Sequence, residues 1–442
     1  MNYWIERQFK LKERRTDVRT EVAAGVTTFM TMAYIIFVNP DILSKAGMPF
    51  GALMVSTCLA AAFATFLMAF LANYPVALAS GMGLNAFFTF TVVMGMKVPW
   101  QSALAAVFVE GIIFIVLTFT KVRENVVNGI PMSLKHGISA GIGLFIAFIG
   151  FQGGGIVVGD AATLVTGAGL RGNVQPILTL FGLVFICTFE ALRIRGTILW
   201  GIVATTAAAI AMGVAKIPAS VVSMPPSIAP IFAKLDFSML SLNLSDPVIA
   251  NFWVIVFTFF FVDFFDTVGT LVGIASRADL LDKNGNLPKA KEALFADAVG
   301  TTAGALLGVS TVTSYVESAS GIGVGGRTGL ASLVTGILFL LAIFFNPLIS
   351  VVPACATAPA LIFVGIYMLM NIRNIDFADW TEAMPAVTAV FVMPFTYSIA
   401  TGIEYGFITY VAVKLTSGRA SEVSPIMFAL AVIFLAKEMF IT

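Results

Sequence analysis

A few polar side chains stand inside apolar runs at spacings that invite chemistry. Asp263 and Asp266 lie three residues apart in Phe261-Val262-Asp263-Phe264-Phe265-Asp266-Thr267-Val268-Gly269-Thr270. On a helix that spacing puts both carboxyls near one face, and Thr267 and Thr270 extend the polar stripe. Carboxylates inside an apolar span each need a cation, a hydrogen-bond donor or a proton. The next cation along, Arg277, is a full span-end away. A desolvated, mutually repelling pair that gains and releases a proton is what proton coupling requires. Glu317, with Thr313 and Ser318 beside it, stands in Thr311–Thr328, TVTSYVESASGIGVGGRT. Asn85 stands in Pro75–Phe88, PVALASGMGLNAFF.

These last two stretches share one design. Each opens on a short extended run rich in β-branched or small residues. Glycines come next to, or soon after, a short helix, which they keep to a few turns. One half-helix is expected to begin near Leu84, and the other to carry Glu317 in its first turn. Both stretches are flanked by apolar blocks, so they lie at membrane depth. Irregular backbone and a charge are tolerated there only where they line a protein cavity. Half-helix N-termini facing each other from opposite sides would leave between them a small polar cavity with partial positive charge.

The elements that position these residues are membrane spans. The 442 residues are 59% hydrophobic and 11% charged, with a mean hydropathy of +0.97, the composition of a polytopic membrane protein. Apolar blocks of spanning length fall near 18–40, 50–73, 75–96, 100–120, 124–155, 173–191, 196–213, 248–275, 290–309, 310–326, 328–347, 354–371, 383–416 and 423–440. A proline-bearing stretch, 214–247, reads as an extramembrane loop joining two halves. With both termini cytoplasmic, 18 of the 25 Lys and Arg fall on the cytoplasmic side, which supports the layout. The blocks 124–155 and 383–416 are too long for one straight span, so breaks are expected there. The halves repeat: Leu104–Ile112 runs parallel to Leu330–Ile337, and Pro131 and Gly143 match Pro353 and Gly365 at the same spacing. Seven spans per copy is odd, so the second copy is inverted, the plan of secondary transporters.

The formal net charge of +1 implies neither a nucleic-acid nor an acidic partner. Cys58, Cys187 and Cys355 have no metal or redox spacing and read as small apolar core residues. One histidine, His136, leaves no room for a metal cluster or a hydrolase triad. No cleavable signal is visible in the charged first 20 residues. Gly321–Gly326 fits a dinucleotide fingerprint but lies in no βαβ unit. Asp282–Asn286 begins like a calcium loop, but Leu287 and Ala293 occupy the positions that need glycine and glutamate. No phosphate-binding loop exists, so ATP-driven transport is not implied, and no cofactor, metal or enzyme chemistry is called for. Glu110 and Glu404 are single acids in apolar surroundings, and Glu190 lies near Arg193 and Arg195; each reads as structural.

Arg19-Thr20-Glu21-Val22, GMGLNAFF at 81–88, FFDTVGTL at 264–271, TSYVESASG at 313–321 and GGRTGL at 325–330 resemble the AzgA-like purine permeases of the nucleobase–ascorbate transporter superfamily, over essentially the whole chain. The resemblance implies proton-coupled uptake of adenine, guanine or hypoxanthine across the cytoplasmic membrane by alternating access. It implies an all-α fold of two inverted seven-span repeats, with a strand plus half-helix in spans 3 and 10. Residues 1–120 and 248–347 would form a core domain, and 121–213 and 348–442 a gate. Homodimers are common in the superfamily. Carried over by position, Glu317, Asp263 and Asp266 are the binding and coupling acids, with Asn85, Ser318 and Thr313 lining the site. The chemistry suits a purine: a carboxylate accepts two hydrogen bonds from adjacent N–H groups, and Phe87, Phe88, Phe264 and Phe265 offer stacking surfaces. The alternatives are an anion or dicarboxylate carrier of the same fold, which the acids would disfavour, or a non-transporting sensor or channel.

Overall fold

The computed structural model describes residues 2–118, 130–218, 220–240, 247–277 and 288–440, and, within 247–277, the side chains of 252–264, 267, 270 and 271. The chain is mostly helical. Among the described residues, seven helical runs are long and apolar enough to cross a membrane. In order, the first elements are α1 (Asn2–Phe9), α2 (Val18–Met32), α3 (Ile35–Ser44), α4 (Phe50–Leu67, continued to Ala72 by a wider π-type turn), β1 (Leu78–Ser80), α5 (Met82–Ala86, continued to Gly95) and α6 (Trp100–Thr118). After them come α7 (Met132–Gly153), an exposed hairpin of β2 (Val157–Asp160) and β3 (Leu164–Gly167), α8 (Val174–Ala191) and α9 (Thr197–Ala211). The second half holds α10 (Pro247–Arg277), α11 (Ala290–Leu307), β4 (Val312–Ser314), α12 (Ser318–Val324), α13 (Gly329–Ala342), α14 (Ala354–Leu369), α15 (Trp380–Thr396), α16 (Ile399–Thr416) and α17 (Pro425–Phe440).

The two strands the sequence marks as special pair with each other. β1 and β4 run antiparallel with Leu78 opposite Ser314, Ala79 opposite Thr313 and Ser80 opposite Val312. The ladder continues past both ends, with Tyr315 N–H donating to Ala77 O at 3.0 Å and Gly81 N–H to Thr311 O at 2.9 Å. A two-stranded sheet surrounded by apolar helices leaves its outer backbone groups to be satisfied by something other than water. Two threonines do this in the same way. The Thr65 hydroxyl of α4 receives Leu78 N–H at 2.9 Å and donates to Leu78 O at 3.0 Å. The Thr301 hydroxyl of α11 receives Val312 N–H at 3.2 Å and donates to Val312 O at 2.8 Å.

Three expectations change. The block 383–416, counted as one broken span, is two helices. Thr396-Tyr397-Ser398 turns the chain, Tyr397 with a left-handed φ of 56°, and α15 packs along α16. Lys414 at the end of α16 pairs with Glu382 at the start of α15, Nζ to Oε1 2.8 Å, which brings those two ends together. Cys187 is exposed on α8 while Cys58 and Cys355 are buried. Glu190 accepts from Thr197 rather than facing its neighbouring arginines. The calcium-like stretch 282–286 lies outside the described residues.

Candidate functional site

α12 begins one residue after Glu317, whose φ of −56° and ψ of −21° are already helical. α12 is held close to α2. A Cβ on Gly321 would fall 2.6 Å from Ala24 O, so glycine is what allows the approach. The junction after α12 explains two of the sequence motifs. Buried Glu21 of α2 accepts backbone N–H bonds from Arg327, Thr328 and Ala331 at 2.8, 3.3 and 3.3 Å, capping the start of α13. The Arg327 guanidinium turns back to Ile322 O and Gly326 O at 2.9 and 2.7 Å, serving the carbonyls at the end of α12.

The break between α2 and α3 presents Tyr34 to the same place. Its hydroxyl donates to Glu317 Oε1 at 2.6 Å, a charge-assisted geometry if Glu317 is ionised. Glu317 is partly exposed, while Tyr315 and Ser318 on either side are buried. Among the described side chains, Tyr34 alone donates to this carboxyl, which leaves it further acceptor capacity.

Asn85 sits in α5, on the other strand–helix unit. Its Oδ1 accepts from the Ser80 hydroxyl at 2.8 Å. Its Nδ2 is buried and meets no acceptor among the described residues. The Tyr315 hydroxyl donates to Ser80 O at 2.5 Å and so ties the two units together. Ser318 and Thr313 are already engaged. Ser318 Oγ accepts Ala77 N–H at 3.0 Å, and Thr313 Oγ1 lies 2.8 Å from Thr267 Oγ1. Both therefore brace the strands. Asp263 is fully buried and lies against Glu110 of α6, with Asp297 of α11 close by. The Asp266 side chain lies outside the described residues. Phe87, Phe88 and Phe264 are buried against other rings, Phe87 and Phe88 on Phe259 at 4.9 and 6.4 Å and Phe264 on Phe114 at 6.1 Å, so their faces are used by the core.

The geometry is that of a carboxyl group and a primary amide on two strand–helix units that meet through one short sheet, and matches with known proteins follow the same lines. A family model described as "Permease family" (Xan_ur_permease) covers residues 19–405. The chain belongs to this permease family. The adenine permease AdeP of Escherichia coli is 43% identical over 437 residues, 99% of this chain and 96% of that protein. The guanine/hypoxanthine permease PbuG of Bacillus subtilis is 43% identical over 445 residues, 98% and 99% of the two chains. The resemblance read from the motifs is thus borne out. Among solved structures, the transmembrane domain of the cyanobacterial bicarbonate transporter BicA matches the permease with a TM-score of 0.65 at 15% identity, covering 88% of this chain and 97% of that one, a likeness of fold.

Sequence reasoning missed Tyr34, Tyr315, Thr65, Thr301 and Asp297 in this permease, and treated Glu110 as a lone structural acid. Asp297 carried a signal, a carboxylate amid the small residues of Phe295-Ala296-Asp297-Ala298-Val299-Gly300. The tyrosines and threonines carried none, because such residues are ordinary in apolar helices.

Proposed function

We propose that the permease carries purine nucleobases across the cytoplasmic membrane, coupled to protons, by alternating access of a core against a gate. The observation that carries the reading is Glu317: a partly exposed carboxyl between α2 and the strand pair, with one oxygen held by Tyr34 at 2.6 Å and the other open to a ligand. A purine offers adjacent N–H donors to such a carboxylate and ring acceptors to the Asn85 amide. The names of AdeP and PbuG point to adenine and to guanine or hypoxanthine respectively.

The inverted repeat is part of the proposal. It is supported by the matched roles of Thr65 and Thr301 on the two strands and by Pro131 and Pro353, each standing directly before a long helix, α7 and α14. It is also supported by packing: α8 lies on α14 as α15 lies on α7, and α9 lies on α8 as α16 lies on α15. On that pattern α15 and α16 are the thirteenth and fourteenth members of the repeat and α17 stands outside it. Core (1–120, 248–347) and gate (121–213, 348–442) meet where Gly83 of α5 abuts Ile142 of α7.

The test is uptake of labelled adenine, guanine and hypoxanthine by cells lacking purine transport, with and without a protonophore. The reading expects uptake of at least one base, fastest at mildly acidic external pH and abolished by the protonophore. Full uptake with the gradient collapsed would remove proton coupling. Competition by excess sulfate would favour an anion carrier instead.

A further inference from the structure

Three fully buried carboxyl groups converge from three helices: Glu110 of α6, Asp263 of α10 and Asp297 of α11. Glu110 lies within hydrogen-bond reach of Asp263 and near the charge of Asp297. Rings from two of the helices pack on one another, Phe114 against Phe260 and Phe264 at 5.7 and 6.1 Å. Neither Glu110 oxygen meets a hydroxyl, amide or ammonium donor among the described residues. A bare carboxylate would be expensive there. One proton between two facing carboxyls removes a charge and turns a repulsion into an O–H···O hydrogen bond.

The cluster is wired to the strand pair. Thr267 donates to Asp297 Oδ2 at 3.0 Å, and its oxygen lies 2.8 Å from the hydroxyl of Thr313. Thr313 stands in β4 opposite Ala79 of β1. Each hydroxyl can both donate and accept, so a change of protonation at the carboxyls reverses donors along the chain and reaches the sheet that holds both halves of the site. Asp266 follows Asp263 by three residues on α10, with its side chain outside the described residues; the remaining titratable groups on the elements around α6 stand further off. Lys291 and Glu292 are in the first turn of α11, more than a turn from Asp297. Asp236 binds Ser102, two turns before Glu110, and Arg277 ends α10 about four turns beyond Asp263.

We propose that Glu110 and Asp263 hold one exchangeable proton between them, and that this pair, rather than Glu317, carries the proton that accompanies the purine. The proposal rests on the proton-coupled transport reading and deepens it. The step makes and breaks only O–H bonds: a proton leaves water on one side, resides on the pair during the conformational change, and returns to water on the other side.

Purified wild type, Glu110→Gln and Glu110→Asp reconstituted in vesicles would test it, with labelled adenine and hypoxanthine as probes. Glu110→Gln is expected to exchange base within about twofold of wild type, while accumulation driven by an imposed pH gradient falls about tenfold or more. Its exchange should no longer respond to pH, and Glu110→Asp should recover part of the accumulation. A Glu110→Gln protein that accumulates base as wild type does would overturn the assignment. Infrared difference spectra of substrate-free wild type against Glu110→Asp provide an arm that needs neither purine nor Glu110→Gln folding. A protonated-carboxyl band that shifts between the two supports the pair, and a flat difference overturns it. A wild type that exchanges neither base would fail the transport reading itself, and the infrared arm would still decide the pair.

Discussion

Gly143 and Gly365 face each other reciprocally: a Cβ added to either would fall 2.5 Å from the carbonyl oxygen of the other. They are also the two glycines that the sequence repeat sets in equivalent places. Reciprocal contact between equivalent positions is what a two-fold relation produces, and here it lets α7 and α14 cross with backbones touching. Gly143→Ala or Gly365→Ala would wedge that crossing apart, at about 1–3 kcal/mol each. Thermal melting in detergent should show both singles destabilised and the double less than additive, because they share one contact. An unshifted melt for either would mean that the crossing has slack.

Thr301→Val keeps shape but removes the hydroxyl serving both backbone groups of Val312. Two buried polar groups then lose their partner, at about 1–3 kcal/mol each. Thr65→Val should behave alike at Leu78, whereas Thr301→Ser should melt close to wild type. Equal melting of Thr301→Val and wild type would show that the strand edge finds another donor.

Arg419 gathers Asp379 at 2.6 Å and Glu422 at 2.6 Å where the start of α15 meets the end of α16, away from the Tyr397 turn. Hydrogen bonds from the Thr381 hydroxyl and Arg419 hold Asp379 down at about 2, and those from Arg419 and Lys414 hold Glu422 at about 2. Lowered acids stabilise fully above their ordinary values, 3.8 and 4.5, and lose that contribution as pH falls toward about 2. The melting difference between wild type and Arg419→Gln should therefore be flat from pH 8 to pH 5.5 and shrink below pH 4. Any pH dependence of transport near neutrality then originates elsewhere. A difference that changes between pH 8 and pH 5.5 would contradict this.

What could be read from the chain alone was local. The runs PVALASGMGLNAFF and TVTSYVESASGIGVGGRT contain their own strand, turn and short helix, so their design was visible, as was the apolar length of most spans. What could not be read depended on contacts between distant segments or on an unusual backbone. Glu110 looked solitary because Asp263 and Asp297 come from helices in the other half. A break was expected in block 383–416, but its place was hidden because the turn uses Tyr397 at a left-handed φ, where glycine or asparagine would have announced it.

Asn85 offers a buried Nδ2 without an acceptor among the described residues, while its Oδ1 is held by Ser80. Asn85→Ala should insert and fold, with purine affinity lowered by about 1–3 kcal/mol as a ligand acceptor loses its donor. Isothermal calorimetry on the purified variant is the check, and unchanged affinity would make Asn85 a brace for Ser80 only.

Glu317 and Tyr34 make the sharpest test of the site, because removing one or the other has different consequences. Glu317→Gln keeps shape and one acceptor but adds an NH2 where the purine presents its own N–H. The mismatch should cost about 2 kcal/mol or more of binding. Glu317→Asp retracts the carboxylate by one methylene, so some binding should remain with poor transport. Tyr34→Phe leaves the carboxylate in place but deletes the 2.6 Å bond that orients it. It should weaken binding less than Glu317→Gln, by about 1 kcal/mol. The double variant should fall short of the sum, since both act through one carboxyl. All four are read by purine calorimetry in detergent, with folding checked by melting. If Glu317→Gln folds and binds purine as tightly as wild type, the Tyr34–Glu317 pair is a tie between α2 and α12, and the site must be centred on another acid.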